Sequence, residues 1–396
     1  MATRLSGSPA DSVSSTGSPV AEQPSCDPAT AQDLSEQHSI AVRSIGTAGI
    51  RVISALRAVT NAADTQLAEL LFQAPSILAT NLKQDIADQV SRLLQEMGLD
   101  TTVLGSDETI EPGDALHDIA LVVRDVSQMG ALLAEVVELL GVSPQQARTM
   151  LCDSPAVLMG KVSANTVAAC RQRFSPLSAE VDVTRPAEAV YDVFLGKCSA
   201  IELAQVQSAL SKAGVAFPEQ SDQPVVVMGI TAEQAERIWE QFARRPLPLR
   251  IVSRDFERFD VTLDSAPRSA EIVSYLINST GMPERVAHKV LDRLPIVLHE
   301  LVDHDEMTKH IEAVNQLGGT ATGHLVLFQT FVLKIKRLGN RQQTESILQL
   351  LTEMDDTAAA EAVQNGMINC PLTHLQARWL QWELQQAGTE TEKVLR

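Results

Sequence analysis

The stretch HELVDHDEMTKH gathers His299, His304 and His310 beside Asp303 and Asp305. Imidazoles and carboxylates are ligands for transition metals, so this is the first place where chemistry could reside. Two ligands share one face of a helix when they stand three or four positions apart. His304 and His310 are six apart and point to different faces. The stretch reads instead as a polar helix start, with Asp303 and Glu306 as its cap and the histidines on the surface. No metal is expected there.

Other reactive-looking residues carry equally little. IGTAG, at Gly46 and Gly49, lacks the GxGxxG spacing and predicts a strand-to-helix turn. No GKS or GKT loop, HExxH helix or GxSxG elbow occurs, so neither phosphate-binding nor hydrolytic machinery is announced. Cys152 and Cys170 fall at apolar helical positions and read as inert core thiols. Trp379 and Trp382, in ARWLQWEL, favour packing against the last sheet over an exposed anchor. KIKR, from Lys334 to Arg337, lies in acidic surroundings and reads as a solvated strand edge. The expectation is a protein without catalytic residues, metal or cofactor.

Composition narrows the partners. A formal charge of −18 over 396 residues disfavours nucleic acid and anionic membranes, which attract basic surfaces. No run approaches the ~18 apolar residues of a membrane span, and the first residues lack the apolar core of a signal peptide. Cys26, Cys152, Cys170, Cys198 and Cys370 are odd in number and form no CxxC pair. That fits a reducing cytoplasm, without a disulfide framework or structural zinc.

The elements behind these residues repeat. Residues 1–37 are Ser- and Pro-rich and predict a disordered tail. Over 38–104 the order is strand, helix, helix, strand, helix, strand. Ile50, Ile53 and Leu56 mark the first helix, Leu67, Leu70 and Leu71 the second, and Ile86, Val90, Leu93, Leu94 and Met97 one face of the third, closed by Gly98. Residues 105–116 form a polar linker, and the order returns over 117–184 and 256–328. Pro75, Pro155 and Pro295 align without gaps between the second helix and the second strand. Thr60-Asn61, Leu140-Gly141 and Thr280-Gly281 align at the preceding helix–helix turn. A weaker copy fills 329–396, with Asn365 in place of the proline and Thr373 with Gln376 opening its last helix. Residues 187–255 break the pattern: YDVFL, VAF, PVVVM and LPLRIV with two capped helices read as a ferredoxin-like βαββαβ segment or a divergent copy. The fold class is α+β, in tandem β-α-α-β-α-β domains, each a three-stranded antiparallel sheet with helices on one face.

IRVISALRAVT and LAELLFQAPSILATNL, with the helix closing at Gly98, resemble the C-terminal domain of the bacterial large-subunit ribosomal stalk protein. GVSPQQAR followed by DSPAVLMGKVS, and TGMPERVAHKVLDRLPIVLHELVD, look similar. The resemblance implies the same three-stranded fold, and a helical hairpin that recruits translational GTPases through basic and aliphatic residues. Its first-helix lysine is replaced here by Ser54, Ala134 and Ser274. Its arginine survives as Arg57 but becomes Val137 and Ile277. Basic character on the second helix remains at Arg148, Arg285 and His288, where the first copy has Thr65 and Ala68. These four basic residues are the candidate protein-binding positions. The favoured expectation is a cytoplasmic, non-enzymatic scaffold whose repeats multiply a weak binding surface. Alternatives are a factor touching a GTPase or the ribosome, and a small-molecule or nucleotide sensor built on the middle segment. The partner's identity and the oligomeric state stay open.

Overall fold

The computed structural model describes residues 37–59, 63–111, 113, 116–196, 199–216, 225–242 and 249–396. The expected disordered tail (apart from residue 37), the Thr60-Asn61 turn, part of the linker, Cys26 and Cys198 lie outside them. The chain divides into two compact units, Met1–Asp114 and Ala115–Arg396. Among the described residues there are five separate three-stranded antiparallel sheets, an α+β fold of tandem domains.

The first unit holds β1 (His38–Ser44), α1 (Ile50–Val59), α2 (Asp64–Phe72), β2 (Ser76–Leu82), α3 (Gln84–Glu96) and β3 (Asp100–Leu104). Its strand order is β2-β1-β3, so the first strand is central and carries the core residues Ile40, Ala41 and Val42. The turn after β1 packs against the end of α3. Thr47 N–H donates to the Gly98 carbonyl at 3.0 Å, and a Cβ on Gly46 would meet that same oxygen at 2.5 Å. IGTAG is thus a strand-to-helix turn that needs glycine for a close approach.

One helical face differs from the sequence expectation. Ala87, Ser91 and Leu94 point into the core of α3, while Ile86 and Leu93 are exposed. Burying Ser91 is tolerated because its hydroxyl pairs with Thr101 Oγ1 at 2.8 Å, which satisfies both polar groups.

The second unit begins with β4 (His117–Val123), α4 (Met129–Leu140), α5 (Pro144–Cys152), β5 (Ala156–Val162), α6 (Ala164–Phe174) and β6 (Ala179–Thr184). Next come β7 (Val190–Leu195), α7 (Ala200–Lys212), β8 (Val225–Thr231), α8 (Ala232–Phe242) and β9 (Leu249–Ser253). Then follow β10 (Phe259–Ser265), α9 (Ala270–Thr280), α10 (Glu284–Val290), β11 (Ile296–Val302), α11 (His304–Gln316) and β12 (Thr320–Leu325). The last set is β13 (Phe331–Arg337), α12 (Arg341–Thr352), α13 (Asp356–Asn365), β14 (Met367–Leu372), α14 (His374–Gln386) and β15 (Glu390–Leu395). Every sheet places its first strand between its second and third. Pro75, Pro155 and Pro295 all follow the second helix of their set, each after a cis peptide bond.

The middle segment is corrected by this topology. Among the described residues it forms a three-stranded β8-β7-β9 sheet with the first strand central, not the four-stranded ferredoxin-like arrangement. Val215, expected to open a strand, instead closes α7: Gly214 takes φ +74°, and Val215 N–H donates back to the Leu210 carbonyl at 2.9 Å. A buried apolar residue after such a turn belongs to the helix end.

KIKR is likewise not an edge. It lies on β13, the central strand of its sheet. Lys336 and Arg337 form cross-strand ion pairs with Glu392 and Glu390 of β15, which is how a central strand carries cations.

Alternation along the strands explains how the second unit closes. Val193 enters the core under α7 and α8, whereas its neighbour Phe194 enters a cluster with Ala120, Val252, Phe256 and Leu327. Side chains alternate between faces with period two, so this second cluster lies on the helix-free side of the sheets. Val122, Leu301 and Val326 make a smaller cluster of the same kind. The helix-free faces of the second copy, the middle segment and the third copy thus meet in shared clusters.

Among the described residues no single helix is long and apolar enough to cross a membrane. α4 and α5 together are apolar, but they are bent by 111° and insert Leu132, Val136, Leu139 and Leu151 into the core.

Candidate partner-binding surface

The third hairpin, α9–α10, is built by strong local signals. Ser269 Oγ accepts the Ile272 N–H at 3.3 Å to start α9, and Gly281 ends it at φ +71°. Ile272, Val273 and Leu276 face the core, met by Ala287 and Val290 from α10. With positions 287 and 290 inward, helical spacing turns Arg285, Val286, His288 and Lys289 outward. All four are exposed, Val286 by 43%. Neither Arg285 nor His288 has a hydrogen-bond or ion-pair partner among the described residues. The result is a small cationic surface with an aliphatic centre. Val286 and Lys289 complete it, and sequence reading missed both; the alanine–valine spacing of the buried side was the signal that could have found them.

The other candidate residues do not join this surface. Arg57, in the first unit, ends α1 and pairs with Asp64 at 3.1 Å, both side chains more than half exposed. Such a pair contributes about 0–1 kcal/mol. Arg148 is committed within the chain. Its side chain is only 17% exposed and reaches Glu353 at 3.3 Å, while its guanidinium also donates to the Leu350 carbonyl and to Gln145. It ties α5 to the end of α12. The second copy's hairpin is therefore engaged where the third copy's is open.

The histidines of the third copy are placed differently from the expected free surface set. Asp303 does cap α11, accepting the Glu306 N–H at 2.8 Å. His299 of β11, however, stacks on His310 of α11 with ring centroids 3.8 Å apart, and Tyr275 hydroxyl meets His310 Nδ1 at 2.9 Å. Strand and helix bring together two rings that the helical spacing alone keeps apart. Burial, then the neighbouring His310, push His299 down to about 4, so the stack is neutral at physiological pH. Among the described residues no group of three or more His, Cys, Asp or Glu side chains is placed to hold a metal ion.

The remaining candidates are structural. Cys152 and Cys170 are buried and pushed up to about 12 by desolvation, which keeps them as unreactive thiols. Trp379 is buried and donates from Nε1 to Glu383 at 3.1 Å. Inside the second unit a cavity of about 60 Å³ is lined by Asp182, Arg258, His374 and Arg378 among others. Arg378 already donates to the Val123 and Arg124 carbonyls at 3.0 and 2.6 Å, so it staples the C-terminal copy to the second. The cavity also has an apolar lining that includes Ala120, Val122 and Leu301, and water can occupy it only beside the polar side chains.

No family model, curated protein or solved structure matches the chain.

Proposed function

We propose that the protein is a non-enzymatic binding scaffold, in which tandem domains resembling the stalk protein's C-terminal domain present helical hairpins to a protein partner. The carrying observation is the α9–α10 hairpin, which leaves Arg285, Val286, His288 and Lys289 exposed together. A cationic rim around an aliphatic centre suits an acidic protein surface with an apolar patch: the charges steer encounter and the buried apolar area holds the complex. The engagement of Arg148 with α12 supports a division of labour, one hairpin holding the array together and another facing outward.

A translational GTPase or a ribosomal factor is the second reading, supported by the same basic-aliphatic hairpin and by the resemblance in TGMPERVAHKVLDRLPIVLHELVD. Affinity purification of the tagged protein from its own cells tests the first reading. One or more stoichiometric partners are expected, lost with Val286→Asp and weakened by Arg285→Ala and His288→Ala. Pull-down of elongation factors at low and physiological salt tests the second. Retention of every partner by Val286→Asp would remove this surface from the function.

A further inference from the structure

The connector from β9 to β10, Arg254 to Arg258, reads RDFER, and its side chains reach different neighbours. Phe256 enters the shared cluster with Ala120, Phe194, Val252 and Leu327. Arg258 forms an ion pair with Asp182 of β6, and its Nη1 donates to the Glu257 carbonyl at 2.7 Å. Arg254 Nε donates to both carboxylate oxygens of Asp192 at 3.2 Å. Five residues thus bind the second copy, the middle segment and the third copy to one another.

Glu257 is the residue that does not fit as an anion. It is 2% exposed, and the Asp192 carboxyl with which it interacts is 1% exposed. Asp192 Oδ1 takes the Gly229 N–H at 2.6 Å and the Arg254 guanidinium, whereas Oδ2 receives only Arg254 Nε and keeps room for one more donor. Glu257 Oε1 has no hydrogen-bond partner. Two buried carboxylates facing a single guanidinium cannot both be ionised cheaply.

We propose that Glu257 carries a proton at neutral pH and donates it in a hydrogen bond to the Asp192 carboxylate, making the connector a proton-held latch that closes the middle segment onto its neighbours and opens as pH rises. Burial and the charge of Asp192 push the Glu257 carboxyl well above the ordinary carboxylate range, with Arg254 opposing in part. From β7 the group meets Asp192 and from the connector Arg254, while the Gly229 N–H of β8 is taken by Asp192. On the connector's other side Arg258 is held by Asp182. A folded-state value raised above the unfolded 4.5 means that the latch's contribution to stability is fully present below 4.5 and is lost as pH rises through the folded value.

The test is hydrogen exchange of the full chain from about pH 6 to about pH 10, corrected for the intrinsic rate, comparing wild type with Glu257→Gln. Glutamine keeps a permanent donor toward Asp192. Wild type is expected to lose protection in β7, β9 and the connector by about tenfold or more as pH rises, while the glutamine variant stays flat. Identical pH profiles overturn the proposal. Should the variant not fold, the carboxyl carbon-13 shift of Glu257 in wild type decides: a protonated shift at neutral pH supports the latch and an ionised one overturns it.

Discussion

Asp260 of β10 accepts the backbone N–H of Leu301 of β11 at 3.1 Å, where Leu301 stands at φ +58°. The same relationship occurs twice more in the second unit. Asp118 accepts from Lys161 at 2.9 Å, and Asp192 from Gly229 at 2.6 Å, with φ +59° and +75° at those residues. The second strand of each set bulges there, which frees an N–H from the ladder. An aspartate on the central strand takes it up. Sharing this device, the middle segment belongs with its neighbours in construction as well as in strand order.

The aspartates should therefore matter in proportion to burial. Asp260 is 5% exposed, and its bond to Leu301 is buried. Asp260→Ala leaves that N–H unsatisfied and is expected to cost about 2–3 kcal/mol, against about 1 kcal/mol for the more exposed Asp118→Ala. Asp260→Asn retains an acceptor and should fall between wild type and alanine. Urea unfolding measures all three, and equal losses for Asp118→Ala and Asp260→Ala would contradict the argument.

These aspartates were also legible before any fold was known. HDI, YDV and FDV stand near the start of the first strands of three sets, an Asp followed by a β-branched residue in each, and this marks 187–255 as a copy. The apolar run VAF predicts an extra strand at Val215, where the chain instead closes α7. The helix-strand order and the aligned prolines were legible because periodicity and proline geometry are local. Contacts across the chain were not. Arg148 looks like a free hairpin cation until α12 folds against it some two hundred positions later in the sequence. His299 and His310 likewise meet only when β11 and α11 pack.

Phe256 tests whether the helix-free faces form a true shared core. It is 6% exposed and contacts residues of the second copy, the middle segment and the third copy in one cluster. Phe256→Ala is expected to cost about 3–5 kcal/mol. Its effect should be non-additive with that of Phe194→Ala, since the two share neighbours. A loss confined to the middle segment in hydrogen exchange, with β4 and β12 unaffected, would show that the copies are merely adjacent.

The stacked histidines predict an acid-sensitive third copy. His299 is pushed from 6.5 down to about 4 by burial and by His310. A lowered folded value means the unfolded chain binds the proton more tightly, so the contribution is present above pH 6.5 and is lost as pH falls toward about 4. Because the ring is only about half buried, solvent screening moderates the size of the effect. His299→Gln should flatten the stability profile across this window. Thermal unfolding at stepped pH measures it, and an unchanged acid slope in the variant would place the titration elsewhere.

Arg148 separates the structural from the steering role of a hairpin cation. Its bonds to the Leu350 carbonyl and to Glu353 anchor α5 on the end of α12, and its side chain is mostly buried. Removing a largely desolvated guanidinium leaves a carbonyl and a carboxylate without their donor, so Arg148→Ala should loosen both helix ends by about 1–3 kcal/mol. Faster hydrogen exchange is expected in α5 and in the last turn of α12, with α9 and α10 unchanged. Binding of a partner through Arg285 and Val286 should survive. An Arg148→Ala variant with wild-type exchange and abolished, salt-sensitive binding would reassign this arginine from holding the array together to steering its partner.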